Sequence, residues 1–271
     1  MAFFPDAMLD ALATHWPEYL IEGGLLGLFM IAACVAVVSL QHPRSPIAGA
    51  MKHPVRRRVV IGVLMGLTAI ALIYSPWGQR SGAHMNPGTT LTFLVLGKVK
   101  AWDAVFYIAA QFLGGFLGVR LAGLAIGHLL GHETVKYAAT LPGRHGLRAA
   151  WLGEFVIAFG LMSMVLWSTN HDATAPYTGL FAGLLVAVYI AIEAPISGMS
   201  MNPARTLGSA IHARTFRGLW IYFTAPPLAM LGAAGLYVAI SGVDCVYCAK
   251  MEHPERGDCI FNCRIDKMPG R

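Results

Sequence analysis

Ser-Gly-Ala-His-Met-Asn-Pro at 81–87 and Ser-Gly-Met-Ser-Met-Asn-Pro at 197–203 are two copies of one element, set apart by a constant offset of 116 residues. They agree at Ser, Gly, Met, Asn and Pro, and the match continues through Thr90 and Thr206, Leu91 and Leu207. Each copy follows an apolar segment and opens a second, shorter one. The chain is therefore a tandem duplication, and its repeated unit is an Asn-Pro at the mouth of a short apolar helix. Asn is a strong N-cap, and Pro suits the first helical position because the N–H it lacks would have no partner there.

Hydrophobic residues make up 56% of the chain and charged residues 13%, with a mean hydropathy of +0.58. Soluble domains carry about 25% charged residues. This composition describes a polytopic membrane protein with little room for a separate soluble domain. The formal charge of +6 resides in loops beside apolar spans, which is no signature of a nucleic-acid partner. Residues 1–18 contain Asp6, Asp10 and Glu18 and no Lys or Arg, unlike a secretory leader. Phe3, Phe4, Met8, Leu9, Leu12 and Trp16 predict instead an amphipathic N-terminal segment on the bilayer surface.

A spanning helix needs about 20 apolar residues. Six segments qualify: 19–40, 59–74, 101–126, 149–167, 178–196 and 219–240. Gly23/Gly27, Gly62/Gly66 and Gly114/Gly118 are spaced for close helix packing in lipid. The segments 86–97 and 202–212 are too short to span. About 11 helical residues rise roughly 16 Å, half the hydrocarbon thickness. Each is predicted to be a half-helix that starts at its Asn and runs back out of the membrane. Irregular backbone at that depth survives only where it is buried in protein or lines water. Residues 81–85 and 197–201 are therefore expected to line a wet path. A duplication of three spans inverts the second half, so the half-helices enter from opposite faces and meet Asn to Asn. The fold class is all-α: six transmembrane helices and two re-entrant half-helices in an inverted repeat. Repeat 1 covers about 19–126 and repeat 2 about 149–241, together a channel domain over 19–241, with a tail at 242–271.

Glu22 and Glu154 stand inside the first span of each half. Intramembrane carboxylates are functional or structural by default. No chain of acids or histidines along the spans continues a proton relay, so each is expected to accept hydrogen bonds from the irregular backbone before its half-helix. Glu193 lies one turn beyond Ile190. It is assigned either to an outer vestibule or to a snorkelled position at a helix end.

In this arrangement the chain resembles the aquaporin and glycerol-facilitator family (major intrinsic proteins), as a bacterial-type member, over about residues 19–241. The resemblance rests on both Asn-Pro boxes, Asn-Pro-Ala-Arg-Thr-Leu-Gly at 202–208, Glu22 and Glu154, Gln111, and Trp220 with Pro226-Pro227. It implies a passive single-file pore, with no cofactor for transport, in each subunit of a homotetramer in the plasma (inner) membrane, both termini cytoplasmic. It also implies that Asn86 and Asn202 donate side-chain N–H groups at mid-pore. Carbonyls of Gly82, Ala83 and His84, and of Gly198, Met199 and Ser200, would form an acceptor ladder. Arg205 would sit in the selectivity filter with Ile190, Met199 and a span-two residue, Gly66 or Met65. That filter is apolar apart from Arg205, which points to water and small uncharged solutes such as glycerol or urea, with protons and ions excluded. Gly88 replaces the usual Ala in the first box, which predicts a slightly wider waist. The alternative function is an inverted-repeat secondary transporter coupled to an ion gradient. No Ser/His, His-x-x-x-His or paired-carboxylate arrangement suggests an enzyme.

Positive-inside counting opposes this topology. Eleven Lys and Arg fall on the outer side against eight on the inner, and the basic loop 41–58 is the part left unaccounted for. Four cysteines follow the last span as Cys245-x2-Cys248 and Cys259-x3-Cys263, with His253 between. Two close pairs suit a tetrahedral metal site, with zinc the first choice and disulfides or free thiols the alternatives. His253 is a substitute ligand, and reduced thiols fit a cytosolic tail.

Overall fold

The computed structural model describes residues 4–253 and 259–270, so Phe3 and residues 254–258 of the tail lie outside it. All of the regular elements it describes are helical. In chain order they are α1 (Phe4–Gln41), α2 (Pro46–Ala50), α3 (Pro54–Tyr74), α4 (Pro76–Ser81), α5 (Pro87–Val95), α6 (Ala101–Ile126), α7 (Gly146–Thr169), α8 (Thr178–Ser197), α9 (Pro203–Ala213) and α10 (Leu219–Ser241). Six of these, α1, α3, α6, α7, α8 and α10, are long and apolar enough to cross a membrane. Helices α5 and α9 are the half-helices, opened by Asn86 and Asn202 in extended conformation with Pro87 and Pro203 in the first turn.

The two halves pack alike. Helix α1 lies on α6 as α7 lies on α10, and α3 pairs with α8 across the repeat. Each half-helix rests on a span of the other half, α9 on α6 and α5 on α10. Small residues permit these approaches. A Cβ on Gly114 would come within 1.9 Å of the Gly23 carbonyl oxygen, and one on Gly62 within 2.4 Å of the Ala187 carbonyl oxygen.

The N-terminal residues differ from expectation. Residues 4–18 of the surface segment foreseen over 1–18 are instead continuous with the first span, because α1 runs unbroken from Phe4 to Gln41. Leu9, Leu12 and Trp16 are exposed along it. Tyr19 Oη donates to Asp103 Oδ1 on α6 at 2.6 Å, and His15 Nδ1 bonds the same oxygen at 2.8 Å. These bonds hold that end of α1 against α6.

The basic loop acquires a local reason. Arg57 donates to the Met51 and Ala48 carbonyls at 2.6 and 2.9 Å. Arg58 Nε donates to the Ala191 carbonyl at 2.9 Å. That carbonyl has no helical partner, because the residue four positions on is Pro195, which lacks an N–H. Arg58 thus satisfies an acceptor that would otherwise be unpaired.

Gly66→Leu is expected to break the α3–α8 seam, where its Cβ would lie 2.4 Å from the Gly183 carbonyl oxygen. Forcing atoms into such a contact costs about 1–3 kcal/mol or more, so the melting temperature in detergent should fall by about 5 °C or more. Gly24→Leu, where a Cβ meets nothing within 4 Å, should leave it unchanged. Thermal size-exclusion profiles of the two variants check both outcomes.

Candidate pore and tail cluster

Between the spans and each half-helix the chain turns through left-handed backbone. Gly82 and Gly198 have φ of 93° and 88°; Ala83 and Met85 follow at 53° and 48°, Met199 and Met201 at 54° and 57°. The glycines adopt this region freely, whereas each non-glycine residue costs on the order of 1–3 kcal/mol there. Such a chain cannot bond its own amides in a helix, and buried N–H groups need acceptors. Two carboxylates supply them. Glu22 accepts from His84 N–H at 2.9 Å, Met85 N–H at 2.7 Å, Ser81 Oγ at 2.8 Å and Gln111 Nε2 at 3.0 Å. Glu154 accepts from Ser200 N–H at 2.7 Å, Met201 N–H at 2.6 Å and Ser197 Oγ at 2.6 Å. Both are fully buried. One tyrosine completes each clamp: Tyr107 donates to the Ser81 carbonyl at 2.7 Å, and Tyr222 to the Ser197 carbonyl. The near-equal offset of these tyrosines from one half to the other is the signal that could have revealed the pair.

The half-helices meet at their N-termini. Asn86 Oδ1 accepts from Gly88 N–H at 2.9 Å, and Asn202 Oδ1 from Ala204 and Arg205 N–H at 3.0 and 3.1 Å. Each side-chain amide reaches across the repeat. Asn86 Nδ2 donates to the Met201 carbonyl at 2.7 Å, and Asn202 Nδ2 to the Met85 carbonyl at 2.6 Å. An amide carries two N–H donors, so a second remains on each.

Two cavities lie on either side of this junction. The larger, about 350 Å³, opens away from the tail and is lined by Ile61, Met65, Ile190, Gly198, Met199 and Arg205 among others. The smaller, about 110 Å³, faces the tail and includes Ala83, His84, Asn86, Ser200 and Asn202. Phe29, Val186, Ser200, Met201 and Arg205 border both. Arg205 is held by the loop before α7, donating from Nη1 to the Ala138 carbonyl at 2.9 Å. Sequence reasoning missed Phe29 and Val186. Phe29 stands two turns past Glu22 and Val186 one turn before Ile190, so helical periodicity could have found both.

Four placements correct the sequence reading. Gly66 is absent from the cavity wall and packs against Gly183 and Ala187; Met65, the alternative, lines the cavity. The Gly82 carbonyl is taken by the N–H of Met251 at 3.0 Å. Glu193 enters neither the vestibule nor the solvent. It is buried against Gly153 of α7, its Oε2 lying 2.8 Å from Ser197 Oγ. The wider waist expected at Gly88 is filled, since a Cβ there would lie 2.9 Å from Met230 Sδ.

The tail differs in its ligand set. Cys248, His253, Cys259 and Cys263 bring one donor atom each within 4.8 Å of one another. Cys245 stays outside, in the turn that ends α10, where its carbonyl accepts from Tyr237 Oη at 3.1 Å. All five cysteines are unbonded. Cys248 Sγ is 3.6 Å from Cys259 Sγ, and Cys263 Sγ is 3.3 Å from His253 Nε2. A tetrahedron with Zn–S of about 2.3 Å and Zn–N of about 2.0 Å has S–S and S–N edges of roughly 3.8 and 3.5 Å. The donor set therefore fits zinc. Hydrogen bonds from Cys248 and then Cys259 hold the Cys263 thiol well below the usual thiol range. Lys98 is buried beside the cluster; burial and then Arg264 push its ammonium pKa down, while Cys248 and Cys263 oppose that shift.

Glu154→Gln tests the clamp. However the amide is turned, Ser200 or Met201 loses its acceptor. A buried unpaired N–H costs about 1–3 kcal/mol, so the melting temperature should fall by about 5 °C or more. An unchanged melting temperature and unchanged water flux would show that the carboxylate holds nothing.

The family model described as major intrinsic protein matches residues 15–237. Aquaporin NIP1-2 of Arabidopsis thaliana is 31% identical over 246 residues, covering 88% of this chain and 79% of that protein. Aquaporin NIP2-2 of Zea mays is 33% identical over 242 residues, covering 88% and 76%. The X-ray structure of the aquaglyceroporin from Plasmodium falciparum shares the fold, with a TM-score of 0.67 at 18% identity, covering 85% of this chain and 99% of that one. With the paired half-helices, the buried carboxylates and the two cavities, these likenesses establish that the chain belongs to the major intrinsic protein family and is a membrane channel for water and small solutes.

Proposed function

We propose that solutes cross this channel passively and in single file, with broad selectivity for small uncharged molecules. The observation that carries the reading is the end-to-end approach of the two cavities at Phe29, Val186, Met201 and Arg205, with Asn86 and Asn202 in the wall of the smaller one. Asn86 and Asn202 offer their second amide N–H to passing solute. The carbonyls of Ala83 and His84, and of Gly198, Met199 and Ser200, are the acceptors. Both half-helix N-termini direct positive potential to the centre, which opposes cations and protons. Arg205 adds a fixed charge and replaces part of a solute's hydration. Met65, Ile190 and Met199 contribute apolar width and no hydrogen bonds. A coupled transporter is not favoured: Glu22 and Glu154 are spent on backbone amides.

The orientation proposed has both termini and the tail in the cytosol of a cell whose plasma membrane holds the channel as a homotetramer. Support comes from the unbonded thiols and the family likeness. The tail binds one zinc ion through Cys248, His253, Cys259 and Cys263, as its donor distances favour. Cys245 takes no part.

Stopped-flow light scattering of proteoliposomes with a panel of osmolytes tests the conduction reading. Water and glycerol-sized neutral solutes should equilibrate without concentrating, with or without a proton gradient. Ile190→His should cut glycerol flux more than water flux; exclusion of every neutral solute by metal-free wild type would contradict the broad filter. Elemental analysis tests the zinc. Cys245→Ser should retain one ion per chain and Cys248→Ser should lose it; equal retention by both would remove the cluster as the site.

A further inference from the structure

The tail does more than hold a cluster. Met251 sits in the wall of the smaller cavity, and its N–H occupies the Gly82 carbonyl at 3.0 Å. The Ala249 carbonyl bonds His84 Nε2 at 2.8 Å. The Phe261 ring stacks on His84 at 5.3 Å and 9° and meets Tyr107 edge-on at 5.9 Å. Val246 and Ala249 are fully buried, and Met251 and Phe261 nearly so. Three separate segments of the same face receive the tail. Asn262 donates from N–H to the Lys98 carbonyl and from Nδ2 to the Gly97 carbonyl, both at 2.8 Å, and Tyr247 N–H donates to Asn170 Oδ1 at 2.8 Å. The tail is a lid seated over the end of the path.

The cluster residues bracket the lid residues. Met251 lies between Cys248 and His253, and Phe261 between Cys259 and Cys263. One ion bound by all four closes both short segments at once and fixes Met251 and Phe261 in place. A tail of this length builds no core of its own, so its order depends on such a bond and on docking.

We infer that the tail is a metal-locked gate: zinc at Cys248, His253, Cys259 and Cys263 holds Met251 and Phe261 across the tail-side mouth, and its removal opens the path. The inference rests on the channel and zinc readings above. It assigns the cluster a regulatory role, because a ligand that binds only the seated lid shifts the gate toward closed by mass action. The ligand is a divalent cation of zinc's softness, held by three thiolates and one imidazole.

The experiment uses the full chain in proteoliposomes. Water flux is measured with zinc bound, after a membrane-permeant zinc chelator, and after zinc is restored, with metal content determined at each step. Flux should rise about tenfold on chelation and fall back with zinc. The variant Met251→Ala with Phe261→Ala leaves every ligand in place; it should keep one zinc per chain and conduct at the high rate with or without it. Equal flux in zinc-loaded and chelated wild type, with zinc demonstrably bound, overturns the gate while leaving the metal site intact. Absence of bound zinc overturns the metal reading and the gate with it. Absence of flux in every state, the double variant included, overturns the conduction reading on which the gate rests.

Discussion

Glu22 and Glu154 make this architecture possible. A path through the middle of the membrane requires backbone that is not helical, and such backbone exposes N–H groups that hydrocarbon cannot satisfy. The chain meets that demand with one buried carboxylate per half. Each takes two consecutive amides of a left-handed turn, at 2.6–2.9 Å. With the amides tied behind, the turn keeps its irregular course and leaves the Met85 and Met201 carbonyls to accept from the other half. The turn also aims Asn86 and Asn202, which then bond across the repeat and join the halves. Remove the carboxylates and the turns, the half-helix positions and the junction all lose their support.

Much of this was legible from the residues. The duplicated Asn-Pro strings fixed the half-helix starts, because Asn followed by Pro has few structural uses other than opening a helix. Five of the six spans lie close to their expected ends, since a continuous apolar run in lipid has only helix available to it, while α1 begins well before the expected start of the first. The isolated carboxylates signalled a buried polar partner. The glycine pairs at four-residue spacing signalled close helix contact, and Gly62 and Gly66 prove to be such a contact.

What failed did so for geometric reasons. Gly66 and Met65 differ by about 100° around one helix, and counting back through a loop does not determine which of them faces the path. Glu193 stands about 60° from Ile190, enough to turn it from the cavity to α7. The width expected at Gly88 ignored Met230, a residue of the other half brought there by the packing of α5 on α10. Spacing selected Cys245 for the metal, yet Cys245 is tied to the end of α10, while His253 brings its ring nitrogen to the other three thiols. The docking of the tail had no sequence signal, because it depends on contacts between residues such as His84 and Ala249 that lie 165 positions apart.

In the proposed path, apolar side chains and Arg205 stand where the two cavities adjoin, an arrangement suited to a single file. In a file, molecules cannot pass one another, so bulk flow driven by osmotic pressure exceeds the exchange of labelled water. The ratio of osmotic to diffusional water permeability, measured on metal-free protein in vesicles, is therefore the most direct test. A ratio well above one, persisting when the lipid contribution is subtracted, is the result expected of a single-file path between Asn86 and Asn202. A ratio of one, or flux that disappears without an ion gradient, would contradict it.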